Sequence, residues 1–334
     1  MKKYLLPQSG QYYKANLHMH TDISDGRLSP EQVKEIYKAH GYSVVAFTDH
    51  DVMITHHELS DDTFLALSGF EAEFNEMNQY PSIPGKKTCH LCFIAKSKTA
   101  EIQPCYNEKY AYIGSVKKHR HKVKIDKNNS PFKRDYSPEN INEMIRICRE
   151  NGFFVTYNHP TWSLEKYGEY IRYDGMNAME IYNHECNMTG YPAYVPTIYD
   201  DMLMSGKKIF AIAADDCHKK SSACGGYIMI KAGSLDYEVI TDAIDRGNFY
   251  ASMGPEIKDL YIEDFKVHIS CSDAIAISLY TGARKAEAVY AEEGEILNHA
   301  SFPIDETYKY IRITVRDVYG RYANTNAYFL EDLK

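Results

Sequence analysis

Over its first two-thirds the chain alternates short apolar runs with amphipathic helical segments, and beyond about residue 254 that rhythm gives way to strict period two. The alternation predicts a βα-repeat fold, with strands at Ala15–His20, Ser43–Thr48, Thr63–Ser68, Cys89–Ala95, Phe153–Tyr157, Asn177–Tyr182 and Lys208–Ala214. Helix punctuation lies between them. Ser29 is an N-cap, Pro30 opens the helix and Gln32 closes a capping box. Val33, Ile36, Tyr37 and His40 then recur at helical spacing up to Gly41. Ser137-Pro138 repeats this opening, with Ile141, Ile145 and Cys148 inward, and a third helix runs from a Ser234 cap to Gly247. Past Gly254-Pro255, Val267, Ile269 and Cys271 alternate with polar residues, as do Ile311, Ile313 and Val315. Strands joined by turns without helices predict a small antiparallel β-sandwich. The fold class expected is therefore α/β: a barrel of βα units over 1–253, then an all-β sandwich over 254–334.

Residues 96–136 break the rhythm, being too long for a βα connection and without period. Within 117–134 eight Lys/Arg, Arg120 among them, face one acid, Asp126. The segment reads either as a solvated excursion or as a cationic lid that attracts an anionic substrate. The chain as a whole carries 38 Lys+Arg against 46 Asp+Glu, a net charge of −8. That balance argues against a nucleic-acid polymer or an anionic membrane as partner. No apolar run approaches the roughly 20 residues of a membrane span. Eight irregularly spaced cysteines and a poor signal-peptide pattern place the chain, as an expectation, in the reducing cytoplasm.

Histidine is the unusual component, with fourteen residues. His18 and His20 lie two apart in an extended segment, so both can reach one metal ion. Thr48-Asp49-His50-Asp51, Asn158-His159-Pro160 and Asp215-Asp216-Cys217-His218 each follow an apolar run, where βα barrels keep their active sites. Glu71 follows a strand and Gly69, and His90 opens another strand. Polar residues at such positions are costly to bury unless they coordinate or pair.

These segments resemble the PHP (polymerase and histidinol phosphatase) family of metal-dependent hydrolases. The matching pieces are LHMHTDISDG, the later FTDHD, Gly69-Phe70-Glu71, His90, Asn158-His159-Pro160 and Asp216-Cys217-His218, in the family's order. The stretch Gly247–Ile257, followed by a β module, is similar to the branch containing carbaryl-hydrolase-like (CehA/McbA-type) proteins. The resemblance implies a distorted seven-stranded, TIM-like (β/α) barrel with two or three divalent ions at its mouth. One ion would be held by His18, His20, Glu71 and Asp216, which would act through an activated water. A second would take Glu71, His90 and His159, and a third Asp25, His50 and His218. Zn, Mn and Fe all suit such ligands. The expected reaction is hydrolysis of a small phosphate ester or nucleotide by a metal-bridging hydroxide. Hydrolysis of carboxylic esters, carbamates or amides, and a non-catalytic metal-stabilised binding protein, are the alternatives. Asp49 is expected to orient a histidine, and Glu73 competes with Glu71 for the bridging place. His184 and Arg120 are the candidates for touching substrate.

Overall fold

The computed structural model describes residues 2–333. Before the change of period it contains β1 (Lys3–Tyr4), β2 (Gln11–Asn16), α1 (Pro30–Ala39), β3 (Tyr42–Phe47), β4 (Leu65–Asn75) and β5 (Thr88–Ala95). There follow α2 (Val116–His119), α3 (Pro138–Glu150), β6 (Phe153–Asn158), α4 (Tyr167–Tyr170), β7 (Ala178–Asn183), α5 (His184–Thr189) and α6 (Pro196–Met204). The series closes with β8 (Phe210–Ala214), β9 (Tyr227–Ala232), α7 (Tyr237–Asp245) and β10 (Phe249–Ser252). After it come eight strands: β11 (Ile257–Glu263), β12 (Lys266–Ala274), β13 (Ala276–Ala283), β14 (Lys285–Tyr290), β15 (Leu297–Pro303), β16 (Tyr310–Arg316), β17 (Tyr322–Thr325) and β18 (Tyr328–Phe329). No described helix is long and apolar enough to cross a membrane.

Six of the seven expected strands are present. The first, expected at Ala15–His20, is displaced to Gln11–Asn16, so that His18 and His20 lie beyond it, and the strands are not uniformly parallel. β2, β3 and β4 run parallel, β4–β5–β6 antiparallel, and β6–β7–β8 parallel again. The reversal follows from the β4–β5 connection, which has no α-helix and returns the chain as a hairpin. β8 and β2 share no ladder. Their continuations meet at one parallel bridge, Met19 with Cys217, with Asp216 N 3.0 Å from His18 O. The β2–β8 part of the large sheet is therefore curled, and the continuations of β2 and β8 touch at the end where the histidines lie.

The local signals at the helices hold. Ser29 and Gln32 form both hydrogen bonds of the capping box on α1, and Ile141, Ile145 and Cys148 are buried under α3. The expected Ser234 cap of α7 is displaced: the helix begins at Tyr237 with Asp236 before it.

Two strands absent from the expected set, β9 and β10, lie antiparallel between β2 and β17. Through them the sheet continues into β16, β13 and β14, so no gap in hydrogen bonding falls at residue 254. A second sheet, β1–β11–β12–β15, packs on this extension around Leu260, Val267, Ile269, Ile277, Ile311 and Val315. β16 departs from simple alternation. Its polar Arg312 is buried because α6 covers that face and Asp200 accepts Nε–H at 2.7 Å.

The 96–136 segment has one helical turn and a bridge from Ile102 to Lys124, and it docks inward at several places. Among them is the buried Gln103, which accepts from Met53 N at 2.7 Å and donates to Asp51 O at 3.0 Å. Ser115 N donates to Ser24 O at 2.7 Å, next to Gly114 at φ +55°, where a Cβ would lie 2.0 Å from that carbonyl oxygen. Arg134 is buried and paired with Asp51, with a further bond to Glu73 O.

Candidate metal centre

The centre is assembled from residues at or beyond the ends of β2, β3, β5, β6 and β8, from Glu71 inside β4, and from Asp25 on a loop. β2 stops at Asn16, and the extended residues beyond it turn His18 and His20 to one side while Met19 enters an apolar cluster with Val33 and Cys217. The β3–β4 pairing extends past β3 through a bridge of His50 with Glu71 and an Asp51 N to Glu71 O bond of 2.7 Å. Antiparallel β5 brings its N-terminal end to the same place, with His90 opposite Glu73. His159 and Asp216 follow β6 and β8 with φ of 27° and 52°. That left-handed backbone is uncommon outside glycine and concentrates at functional sites.

Glu71 is the hub. Its Oε1 lies 3.2 Å from His18 Nε2, 3.2 Å from His90 Nδ1 and 3.3 Å from His159 Nε2. Its Oε2 lies 3.4 Å from His20 Nε2 and 3.3 Å from His50 Nδ1. Asp216 Oδ1 stands 3.2 Å from His18 Nε2 and 3.1 Å from His20 Nε2. Asp25 Oδ2 is 3.7 Å from His50 Nε2 and 3.6 Å from His218 Nε2. All nine residues singled out as ligands thus meet in one place. Their donor atoms fall into the groups His20–Asp25–His50–His218, His18–His159–Asp216 and His50–Glu71–His90, with Cys92 beside His18 and Glu71 in a fourth. His20 therefore stands with Asp25, His50 and His218, not only with His18 as the resemblance implies.

The electrostatics are those of a buried set of bases among carboxylates. Burial disfavours the imidazolium of His18, but Asp216, Glu71 and Glu180 overcome it and raise its pKa well above the ordinary value. The same competition raises His20, His90 and His218. For His50 burial wins, lowering its pKa to about 4. Burial opposes ionisation of Glu71 and Asp216 too, yet the histidines hold both carboxyls below their usual range. The decisive observation concerns hydrogen bonds. His20 Nδ1, His50 Nδ1, both nitrogens of His90 and Asp216 Oδ1 are buried without a well-aligned hydrogen bond, although three of them lie within 3.3 Å of a Glu71 oxygen or a histidine nitrogen. Buried polar atoms are normally paired, so five orphans in one cluster fit a site built for cations.

Several supporting residues carry no strong signal in the sequence. Glu180, inside β7, lies 2.7 Å from His18 Nδ1 and accepts the backbone N–H of His159 at 2.9 Å. It fixes the proton on His18 Nδ1 and leaves Nε2 facing the centre. A glutamate in the otherwise apolar Ala178–Tyr182 run is the one local hint of this. Glu180→Gln is expected to lower metal affinity by about 10–100-fold, read by competition with a chromophoric chelator; an unchanged affinity contradicts the role. Asn158 Nδ2 donates to Glu71 Oε1 at 2.8 Å.

Other expectations are corrected. Asp49 does not orient a histidine: it accepts from Thr21 N at 2.8 Å and Ser24 Oγ at 2.6 Å, shaping the loop that carries Asp25. Glu73 contacts Tyr112 Oη and stays 3.8 Å from His90 Nε2. His184 opens α5 with its ring bonded to Tyr182 Oη at 2.8 Å and packed over Gly225, away from the cavity. The next residue, Glu185, faces the cavity instead. Arg120 spends its donors on Ala111 O and Glu108, inside its own segment.

A cavity of about 640 Å³ opens above the cluster. Arg27 and Lys219 line it beside Asp25 and His218, while Trp162, Tyr112 and Ile113 line it elsewhere. The 96–136 segment thus reaches the site through Tyr112 and Ile113, and not through its lysines.

Residues 16–171 match the family model described as PHP domain. No curated protein matches the chain. Among solved structures, it is similar to a two-domain protein from Bacteroides vulgatus containing a predicted PHP-like metal-dependent phosphoesterase. The identity is 15%, over 98% of this chain and 90% of that one, with a TM-score of 0.43. A Bifidobacterium adolescentis protein described as a metal-dependent phosphoesterase is 15% identical over 72% of this chain and 98% of its own, at TM-score 0.39. PsfC from Pseudomonas syringae is 10% identical over 70% and 87%, at TM-score 0.40.

Proposed function

For a chain whose residues 16–171 match the PHP domain family, we propose a metal-dependent phosphoesterase acting on a small anionic phosphate ester. The observation that carries the reading is the set of orphaned buried donor atoms on His20, His50, His90 and Asp216 around Glu71. We read 1–253 as a barrel-type metallohydrolase domain and 254–334, joined by β1, as its β-sandwich, the two sharing one sheet through β10 and β17.

Divalent cations would be held by His20, Asp25, His50 and His218, by His18, His159 and Asp216, and by Glu71 with His50 and His90. When bound, such ions make a nucleophilic oxygen available near neutral pH and offset charge developing on phosphoryl oxygens. The chain's own residues do the rest. Glu180 keeps His18 in the tautomer that offers Nε2. Arg27, and Lys219 with Glu185 3.5 Å from its ammonium, place positive charge at the mouth of a protein of net charge −8. Tyr112, held by Glu73, and Trp162 narrow the cavity on the His90 side.

A panel of phosphomonoesters and diesters, run with protein loaded with Zn, Mn or Fe, tests the reading. Turnover that chelation abolishes and metal restores is expected. Turnover of carboxylic esters or carbamates with none of phosphate esters overturns it.

Metal binding is also expected to depend on pH. His18, His20, His90 and His218 hold protons above the ordinary histidine value of about 6.5 when no cation is present. A bound metal must displace those protons, so affinity rises with pH and begins to fall above pH 6.5 as the solution is acidified. Calorimetry in buffers of different ionisation enthalpy should register proton release. Binding without it contradicts the ligand set.

A further inference from the structure

We propose that Trp162 makes the site selective for phosphoesters that carry a flat aromatic group. The inference rests on the phosphoesterase reading and specifies its substrate class.

Trp162 is the single tryptophan of the chain. It sits on the loop after β6, between His159 and the buried Ser163. Its ring stands nearly perpendicular to His90 and His159, with centroids 5.3 and 5.1 Å away. These two contacts place the indole against the centre itself, yet the residue remains 40% exposed and lines the cavity. A large apolar side chain in that position is costly to leave facing water. Tyr112, Ile113 and Pro81 add apolar surface to the lining.

The opposite chemistry lies beside Asp25 and His218, where Arg27 and Lys219 line the cavity, Lys219 with Glu185 3.5 Å from its ammonium. The cavity is therefore bipolar, with charge for an anion near one histidine group and an aromatic surface near the other. A phosphate directed to the cations and ions leaves its organic group facing the indole. A flat ring gains there by stacking, as bases do on aromatic side chains, where removal of one platform costs about tenfold or more in affinity. An aliphatic group gains little from the same surface.

Non-hydrolysable probes separate this proposal from the reading beneath it. Phenylphosphonate and methylphosphonate are titrated by calorimetry into the metal-loaded protein, its Trp162→Leu variant and its Trp162→Phe variant. Quenching of Trp162 emission provides a second readout in the native protein. The expected result is about tenfold tighter binding of phenylphosphonate, a preference lost in Trp162→Leu and largely kept in Trp162→Phe. Retention of metal by each variant shows that the centre is formed. Equal affinity for the two phosphonates, or a preference that survives Trp162→Leu, overturns the proposal and leaves the phosphoesterase reading standing. If neither phosphonate binds the loaded protein, both fall.

Discussion

Glu71→Gln is expected to remove the metal and the activity together. The Glu71 carboxylate lies within 3.4 Å of a ring nitrogen of His18, His20, His50, His90 and His159. No other described carboxylate is paired with as many of the candidate histidines, Asp216 meeting four, and the amide that replaces Glu71 carries no charge. Residues that only orient metal ligands are worth about 10–100-fold in affinity, so loss at the shared carboxylate should exceed roughly 100-fold. The fold should persist, because Asn158 Nδ2, which donates to Oε1 at 2.8 Å, keeps a carbonyl acceptor in the variant. Metal content after dialysis, beside a thermal melt, separates the two effects. A Glu71→Gln protein that keeps its full metal complement would place the ions elsewhere.

Arg134→Met should give the largest loss of stability. Arg134 is fully enclosed, its guanidinium paired with Asp51 and donating to Glu73 O at 3.0 Å, over the rings of Tyr110 at 4.6 Å and Phe74 at 5.6 Å. Removing Arg134 leaves Asp51, whose pKa burial already pushes up to about 7, buried without its cation, and breaking such a pair costs about 3–5 kcal/mol. Urea denaturation reads this as a lowered midpoint with little change in slope. The double variant Asp51→Asn/Arg134→Met should recover part of the loss, since no charge then remains unpaired. The same residue anchors the 96–136 segment, so proteolysis there should quicken in Arg134→Met. A single variant as stable as the native protein removes Arg134 from this role.

The parts of the site that are legible in the sequence are those fixed by short-range geometry. His18 and His20 share a face because extended backbone has period two. His50, His159 and Asp216 follow apolar runs that read as buried strands. Residues set by long-range contacts are less accessible. Whether His184 or Glu185 faces the cavity depends on where α5 begins, a matter of one residue and about 100° of rotation. Arg120 stands in a basic stretch, and nothing local indicates that Glu108 and Ala111 occupy it. Arg134 stands at the end of the same stretch and looks like one more solvated cation, although its partner, Asp51, lies 83 residues away. Strands β9 and β10 are six and four residues long and lack a turn signal between them, since α7 intervenes. The antiparallel turn at β4–β5 follows from the absence of an α-helix over 76–87, which the sequence displays as a stretch without helical period.

The central claim is that this cluster holds divalent ions. Anomalous difference maps from crystals of the protein purified without chelator, with data collected at the Zn, Mn and Fe edges, address it directly. Peaks are expected between Glu71 and the ring nitrogens of His18, His20, His50, His90 and His159, and between Asp25, His50 and His218. A map with no peak there after soaking in each metal, with the side chains ordered, would contradict the account.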